Sequence, residues 1–410
     1  MNQKKLLPCL ILLPAFFLIN SSENLIAFAF ALISTMILLV ILRKHKEVKN
    51  ILIIAFVSRM LMAIIYTITN DADPDGYAIV ASKFVNMDLA TFVQSIPKGA
   101  YFYSWLVAAI WKITGTNLIV IRLINALISF MCCLLAYRFS LNFYSKETSK
   151  KILFFIALFP ALIRFSSPFS SRETLFVFFL LLTIISFYKF FINNRKKDLF
   201  AGIITFVFGL ILHTSMIAFL VLPLLIIIDK SKTKKGFIQS TFISVVIVLV
   251  TFFLINENVG LEKLYLENGG IDISKINWIQ NSSSIGRAAY LSNIQINDFP
   301  SLILFLPIKI MFFLYAPFIW MIRNVVDILG YIDGTLYFLI TYFISKAYFH
   351  KNTAKSKPQR YMNYMLTIIA LMVVMFSIGT SNYGTALRHR TKLIIPLTII
   401  SGLYLEKRRL

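Results

Sequence analysis

Apolar runs of about 17 or more residues, the length that crosses roughly 30 Å of hydrocarbon, recur from one end of this chain to the other. Little is left between them for a large soluble domain. Composition agrees, because 58% hydrophobic residues, 14% charged residues and a mean hydropathy of +0.78 exceed what a soluble domain keeps in solution. The chain reads as an all-α polytopic membrane protein, a single membrane domain with loops.

Its formal charge of +23 is spread in a way that argues against nucleic acid. Lys and Arg fall in short clusters between the apolar runs: Lys4-Lys5, Arg43-Lys44-His45-Lys46, Lys146 to Lys151, Arg195-Lys196-Lys197, Lys230 to Lys235, Lys351 to Arg360 and Lys407-Arg408-Arg409. Such clusters mark cytoplasmic loops. The acids sort the other way. Nine of the 18 lie in residues 69 to 117 and 256 to 300, which are therefore the external segments. The three cysteines, Cys9, Cys132 and Cys133, sit inside apolar runs without metal-ligand spacing, so they are assigned to packing. Lys4-Lys5 and the following apolar stretch resemble a signal peptide, but a second span follows with no convincing cleavage site, so residues 1–50 read as a retained hairpin.

These constraints place spans near 6–20, 25–42, 51–68, 118–138, 152–166, 172–191, 198–213, 215–228, 237–255, 328–349, 362–379 and 391–405. Segment 302–322, broken by Pro307 and Pro317 and carrying Lys309, is read as entering and returning on the external side; if it crossed, Lys346 to Arg360 would be left outside. The expectation is about 12 crossings with both termini cytoplasmic. The organisation is then a hairpin (1–50), a catalytic core (51–255) with an external loop at 69–117, a second external loop (256–300) and C-terminal membrane helices (301–410).

In the first external loop, Asp71-Ala72-Asp73-Pro74-Asp75-Gly76 directly follows a span. It matches the opening of a calcium loop, D-x-D-x-D-G, but the twelfth position is Ser82, where that loop needs a bidentate Glu. Crowded carboxylates raise one another's pKa, which leaves one able to accept a proton near neutral pH while a neighbour holds a substrate hydroxyl or a divalent metal, Mg or Mn, on Asp71 and Asp73. The plainer alternative is a solvated loop kept outside by its polarity. After Asp75, residues Tyr77, Val80, Ala81, Phe84 and Val85 follow the spacing of a helical apolar stripe, with Lys83 and Asn86 off it. This predicts a helix lying in the interface plane. Tyr101 through Lys112 is rich in the aromatics that settle at headgroup level.

Cationic groups are expected on the same face. Arg172 and Glu173 occupy a polar breach between two spans, and Arg388-His389-Arg390 with Lys392 lies between the last two. Arginine binds phosphate as a planar bidentate donor, so Arg172, Arg388 and Arg390 are candidate phosphate contacts; headgroup anchoring is the plainer role. Arg59 falls mid-span, where a lone charge costs at least about 2.5 kcal/mol, and should face the bundle interior, with Glu173 one conceivable partner. His213, between two short apolar runs, is a candidate to line the same cavity or a structural helix-end residue.

An acid just past an early span, Tyr77 and Ala81, Gly99-Ala100-Tyr101, Gly115-Thr116-Asn117, Ile121-Arg122-Leu123-Ile124-Asn125, Phe159-Pro160 to Ser167, and Ser171 to Phe176 together resemble the GT-C class of membrane glycosyltransferases. The nearest branch is the dolichyl-phosphate-mannose protein mannosyltransferase-like group, including aminoarabinose transferases. The resemblance covers roughly residues 51–230. It implies a GT-C-like helical bundle, a catalytic acid in the first external loop, a polyprenyl-phosphate-linked sugar donor and transfer on the external face. By position, the loop acid falls on Asp71, Asp73 or Asp75, with Asp73 and Asp75 favoured because they abut Tyr77; Glu173 aligns with the acid of a Ser-x-Glu segment. Arg59, Arg172, Arg388 and Arg390 become donor-phosphate candidates, and Tyr77, Glu173, His213 and His389 cavity candidates. The family's large C-terminal external domain is missing. The acceptor is then a glycan, lipid or protein, and the resemblance implies the plasma membrane of a bacterium as the compartment; the bias to Lys, Asn, Ile and Phe points to an AT-rich genome. The segment Asn382 through Pro396 is similar to the end of several bacterial polysaccharide-assembly proteins, which keeps a polymerase of lipid-linked repeat units as an alternative; a lipid or polysaccharide transporter is a second.

Overall fold

A computed structural model describes residues 25–68, 76–97, 99–166, 172–230, 277, 284, 286–296, 298–349 and 356–407. Asp71, Asp73, Asp75, the expected spans 6–20 and 237–255, and most of the second external loop lie outside the described residues. The described part is helical, with one isolated antiparallel bridge between Ala289 and Asn382.

The chain divides into two compact units, residues 1–141 with 145–178, and residues 142–144 with 179–410. In the first, α1 (Leu25–Lys44), α2 (Lys49–Ile68), α6 (Leu118–Ser140), α7 (Lys146–Leu158) and α8 (Pro160–Ser166) form the membrane part, while α3 (Gly76–Val85), α4 (Leu89–Gln94) and α5 (Phe102–Thr114) fill the first loop. Helix α6 is the centre, packed on α1, α2 and α7; Phe130 meets Phe56 of α2 edge-on at 5.4 Å. The expected span 152–166 is split, because Phe159 is extended and Pro160 starts a new helix. A proline has no N–H to offer the carbonyl four residues back.

Helix α9 (Arg172–Asn193) runs through the unit boundary. The second unit continues with α10 (Lys196–Leu212), a 3₁₀ segment (Thr214–Leu220), α11 (Val221–Lys230), α12 (Phe299–Tyr315), α13 (Val325–Phe349), α14 (Lys357–Ile378), α15 (Tyr383–Arg390) and α16 (Ile394–Lys407). Helix α16 is apolar on every side and buried from Ile394 to Leu403, as a helix enclosed by others must be. The segment expected to re-enter is α12, which ends where Ala316 becomes extended before Pro317.

Among the described residues six helical stretches are long and apolar enough to cross a membrane: Leu25–Lys44, Lys46–Ile68, Leu118–Ser140, Arg172–Asn193, Val325–Phe349 and Lys357–Ile378. The expected count of about 12 is not reached among them. Helices α10 and α16 run only 17 and 14 residues, and 215–228 opens as a 3₁₀ turn.

Candidate active site

The acidic segment Asp71 to Asp75 lies between α2 and α3 in the sequence, and the described residues on both flanks are tied into one polar cluster of the first unit. At the end of α2, the Thr67 hydroxyl accepts a hydrogen bond from Arg122 of α6 at 3.0 Å. At the start of α3, Tyr77 meets Tyr103 of α5 edge-to-face, ring centroids 5.6 Å apart. The Tyr103 hydroxyl accepts from the Asn125 amide at 3.0 Å, and the Arg172 guanidinium stands over the other partner ring, Tyr77, at 5.9 Å. Arg122 and Asn125 are one helical turn apart on α6, so they share a face. Glu173 is buried beside Arg172 at the first turn of α9, where a carboxylate is favoured by the helix dipole.

Local sequence explains why these side chains converge. Ala81 is the buried centre of the α3 stripe, Tyr77, Val80, Phe84 and Val85 are partly covered, and Ser82, Lys83 and Asn86 are exposed, so the predicted amphipathic helix is present and packs on α5. Lys112 of α5 donates to the carbonyls of Val85 and Met87, and its charge sits where the α3 dipole is negative. Trp105 stacks on Phe92 at 4.7 Å and donates its indole N–H to the Phe92 carbonyl. Asp88 caps α4 through the Thr91 backbone. Hydrogen bonds from the Thr91 hydroxyl and N–H hold its carboxyl below the usual carboxylate range, so it serves as a cap.

The remaining predicted residues take other positions. Arg59 is fully buried: its Nε donates to the Ser129 hydroxyl at 2.8 Å, one terminal nitrogen to the Ala55 and Ala157 carbonyls at 3.0 Å, and the other to Ile156 at 3.2 Å. Pro160 leaves the Ile156 carbonyl without a helical donor, and Arg59 supplies one. In the second unit Arg390 is fully buried, paired with Asp333 at 3.0 Å, and donates to the carbonyls of Leu314 and Ala316. These two arginines are engaged in holding helices together. His213, His389 and Lys392 gather around Phe376 of α14, with Arg388 half-buried one residue before His389. Among the described residues no group of three or more His, Cys, Asp or Glu is placed to hold a metal ion.

In the sequence Arg122 and Asn125 stand out only within a motif and Tyr103 and Lys112 only within an aromatic stretch, while Thr67 and Asp333 carry no motif. For Asp333 the signal was present: an acid inside an apolar run is expensive unless paired.

Residues 98–256 match the family described as dolichyl-phosphate-mannose-protein mannosyltransferase. The resemblance read from the motifs therefore holds over this stretch, which is less than half of the chain. No curated protein matches the chain. Tyr103, Asn125, Arg172, Glu173 and His213 fall inside the matched residues; Thr67, the three aspartates, Tyr77 and α12 to α16 fall outside. The match and the apolar helices support a multi-pass membrane glycosyltransferase of the GT-C type.

Proposed function

We propose that this protein transfers a sugar from a polyprenyl-phosphate donor to a hydroxyl acceptor on the external face of the membrane. The observation that carries the reading is the cluster of Thr67, Arg122, Asn125, Tyr103, Tyr77 and Arg172, which ties down both flanks of the Asp71–Asp75 turn in a chain whose adjoining residues match a sugar-transferring family. In this mechanism Asp73 or Asp75 takes the proton of the acceptor hydroxyl as its oxygen attacks the anomeric carbon. The bond from that carbon to the phosphate oxygen breaks, and the lipid phosphate leaves with the bonding pair. Arg172 is the contact for the charge on that leaving group, because a planar guanidinium matches phosphate oxygens. Tyr103 and Asn125 position the sugar hydroxyls.

The test is release of free polyprenyl phosphate from lipid-phosphate sugars by protein in nanodiscs. Native protein releases it, and Arg172→Met and the Asp73→Asn, Asp75→Asn double variant lose release by at least about 100-fold, in line with loss of a general base or a charge-stabilising group. Full turnover in the double variant would overturn the assignment of the base.

A further inference from the structure

Asp327, in the first turn of α13, is buried and its carboxylate is fully used. Its Oδ1 accepts a hydrogen bond from the Tyr383 hydroxyl at 2.8 Å and lies 3.5 Å from one terminal nitrogen of Arg287. Its Oδ2 accepts from the backbone N–H groups of Arg323 and Asn324 at 3.0 and 3.2 Å. A carboxylate offers about four lone-pair positions, so these four donors fill it. Backbone bonds hold Arg287 in place, because the Tyr383 N–H donates to the Ala288 carbonyl at 3.0 Å and the Tyr290 N–H to the Ser381 carbonyl at 2.9 Å.

Two guanidiniums therefore stand around one saturated carboxylate. Burial raises the Tyr383 phenol above its ordinary value, as does its bond to Asp327, while Arg287 and Arg323 both act in the opposite sense; both charges are thus close to that hydroxyl. The Arg323 side chain is exposed and pairs with no acid among the described residues. Arg287 reaches Asp327 through a single nitrogen, and its side chain is half exposed. The group is left with one positive charge in excess, presented to the surface. The turn between α12 and α13 that carries Arg323 is otherwise apolar: Ile319, Trp320, Val325 and Val326 are all exposed, and Trp320 stacks on Phe318 at 4.9 Å. It immediately precedes a helix long enough to span a membrane. Tryptophan among aliphatic residues at the end of a span marks the membrane–water interface, and an arginine at that depth meets headgroup phosphates, which its planar fork matches.

We propose that Arg287 and Arg323, fixed around Asp327 and Tyr383, bind the headgroup of an anionic phospholipid, with Ile319, Trp320, Val325 and Val326 seated in the same leaflet. The spare positive charge favours a headgroup of net negative charge over a zwitterionic one. The site depends neither on the chemistry proposed for the first unit nor on which face of the membrane holds the turn.

A fluorophore on Val325→Cys, in a Cys9→Ser background where Cys132 and Cys133 are buried, reports the lipid beside the turn. The protein is placed in phosphatidylcholine nanodiscs that contain, as a minor component, either phosphatidylglycerol or phosphatidylcholine with brominated chains, which quench on contact. Brominated phosphatidylglycerol should quench at least about 3-fold more than brominated phosphatidylcholine. Arg323→Met should keep the thermal unfolding midpoint and reduce that preference, and the Arg287→Met, Arg323→Met double variant should abolish it. Equal quenching by the two lipids, or none by either, overturns the proposal. So does a full preference in the double variant, which would trace it to the basic clusters elsewhere on the chain. A preference abolished by inorganic phosphate at constant ionic strength would show that the arginines take the free ion, and would overturn the lipid assignment.

Discussion

Arg59 gives its whole guanidinium to Ser129 and to the carbonyls of Ala55, Ile156 and Ala157, so its charge serves the break between α7 and α8. Replacing it by Met strands at least two buried acceptors, each worth about 1–3 kcal/mol when left unsatisfied. We expect Arg59→Met to lose about 2–4 kcal/mol of stability with the KM for a lipid-phosphate donor unchanged in the folded fraction. A raised KM at native stability would instead make Arg59 a donor contact. The Asp333–Arg390 pair follows the logic of buried ions, in which removing one partner costs roughly 3–5 kcal/mol because the other is left buried. Asp333→Asn should show that loss, and a double-mutant cycle with Arg390→Met should return a coupling of at least about 1 kcal/mol; additive losses would mean that the pair contributes nothing beyond packing. Arg59 was legible as a charge that needed partners, whereas Arg390 read as a phosphate contact or a headgroup anchor. The partners of Arg59 were not legible, because the Ile156 carbonyl is freed by a proline about a hundred residues away in the sequence; the acid that pairs with Arg390 did stand out inside an apolar run, but nothing in the sequence joined the two.

The crossing of α12 and α13 depends on small residues. Gly330 and Gly334 are four apart on one face of α13; a Cβ on Gly334 would meet the Tyr315 carbonyl oxygen, and one on Gly330 would lie 3.0 Å from the Pro317 ring. Backbone cannot yield as a side chain can, so Gly334→Ala should destabilise by about 1–3 kcal/mol or more. Gly209→Ala, where only the flexible Met216 side chain is in the way, should cost less. Equal effects on the thermal midpoint would contradict this packing account. At the start of α12, Asp298 and Ser301 form a reciprocal cap, and the Ser301 hydroxyl and N–H hold the Asp298 carboxyl below its ordinary 3.8. Because the folded value is the lower one, the cap's contribution is complete above pH 3.8 and is lost as pH falls through the folded value. Amide exchange at Phe299, Ser301 and Leu302 should accelerate in that acid range, and Asp298→Ala should make it fast and pH-independent apart from intrinsic chemistry. At this scale the sequence was read well where periodicity carried the signal, as in the α3 stripe from Tyr77 to Val85. It was read poorly at Phe159-Pro160, where a continuous apolar run outweighed a helix breaker in plain view, and the 152–166 span was drawn straight through it.

For the whole molecule, the proposed chemistry stands or falls on which side α3 faces. Basic clusters around Arg43 to Lys46 and Lys146 to Lys151 argue for the cytoplasm at those turns, and α2 and α6, 20 and 23 residues long, each suffice to reach the opposite surface at about 1.5 Å per residue. The loop from α3 to α5 would then lie outside. This can be decided with thiol labelling, since Cys132 and Cys133 are buried inside the protein and a Cys9→Ser background removes the third thiol. Ser82 and Glu147 are both exposed, on α3 and at the start of α7. In intact cells a membrane-impermeant maleimide should label Ser82→Cys and leave Glu147→Cys unlabelled until the membrane is permeabilised. The opposite pattern would put the Asp71–Asp75 turn, Tyr77 and Arg172 in the cytoplasm, where a donor carried on the external leaflet cannot reach them, and external transfer would be abandoned even if the chain proved to be a glycosyltransferase.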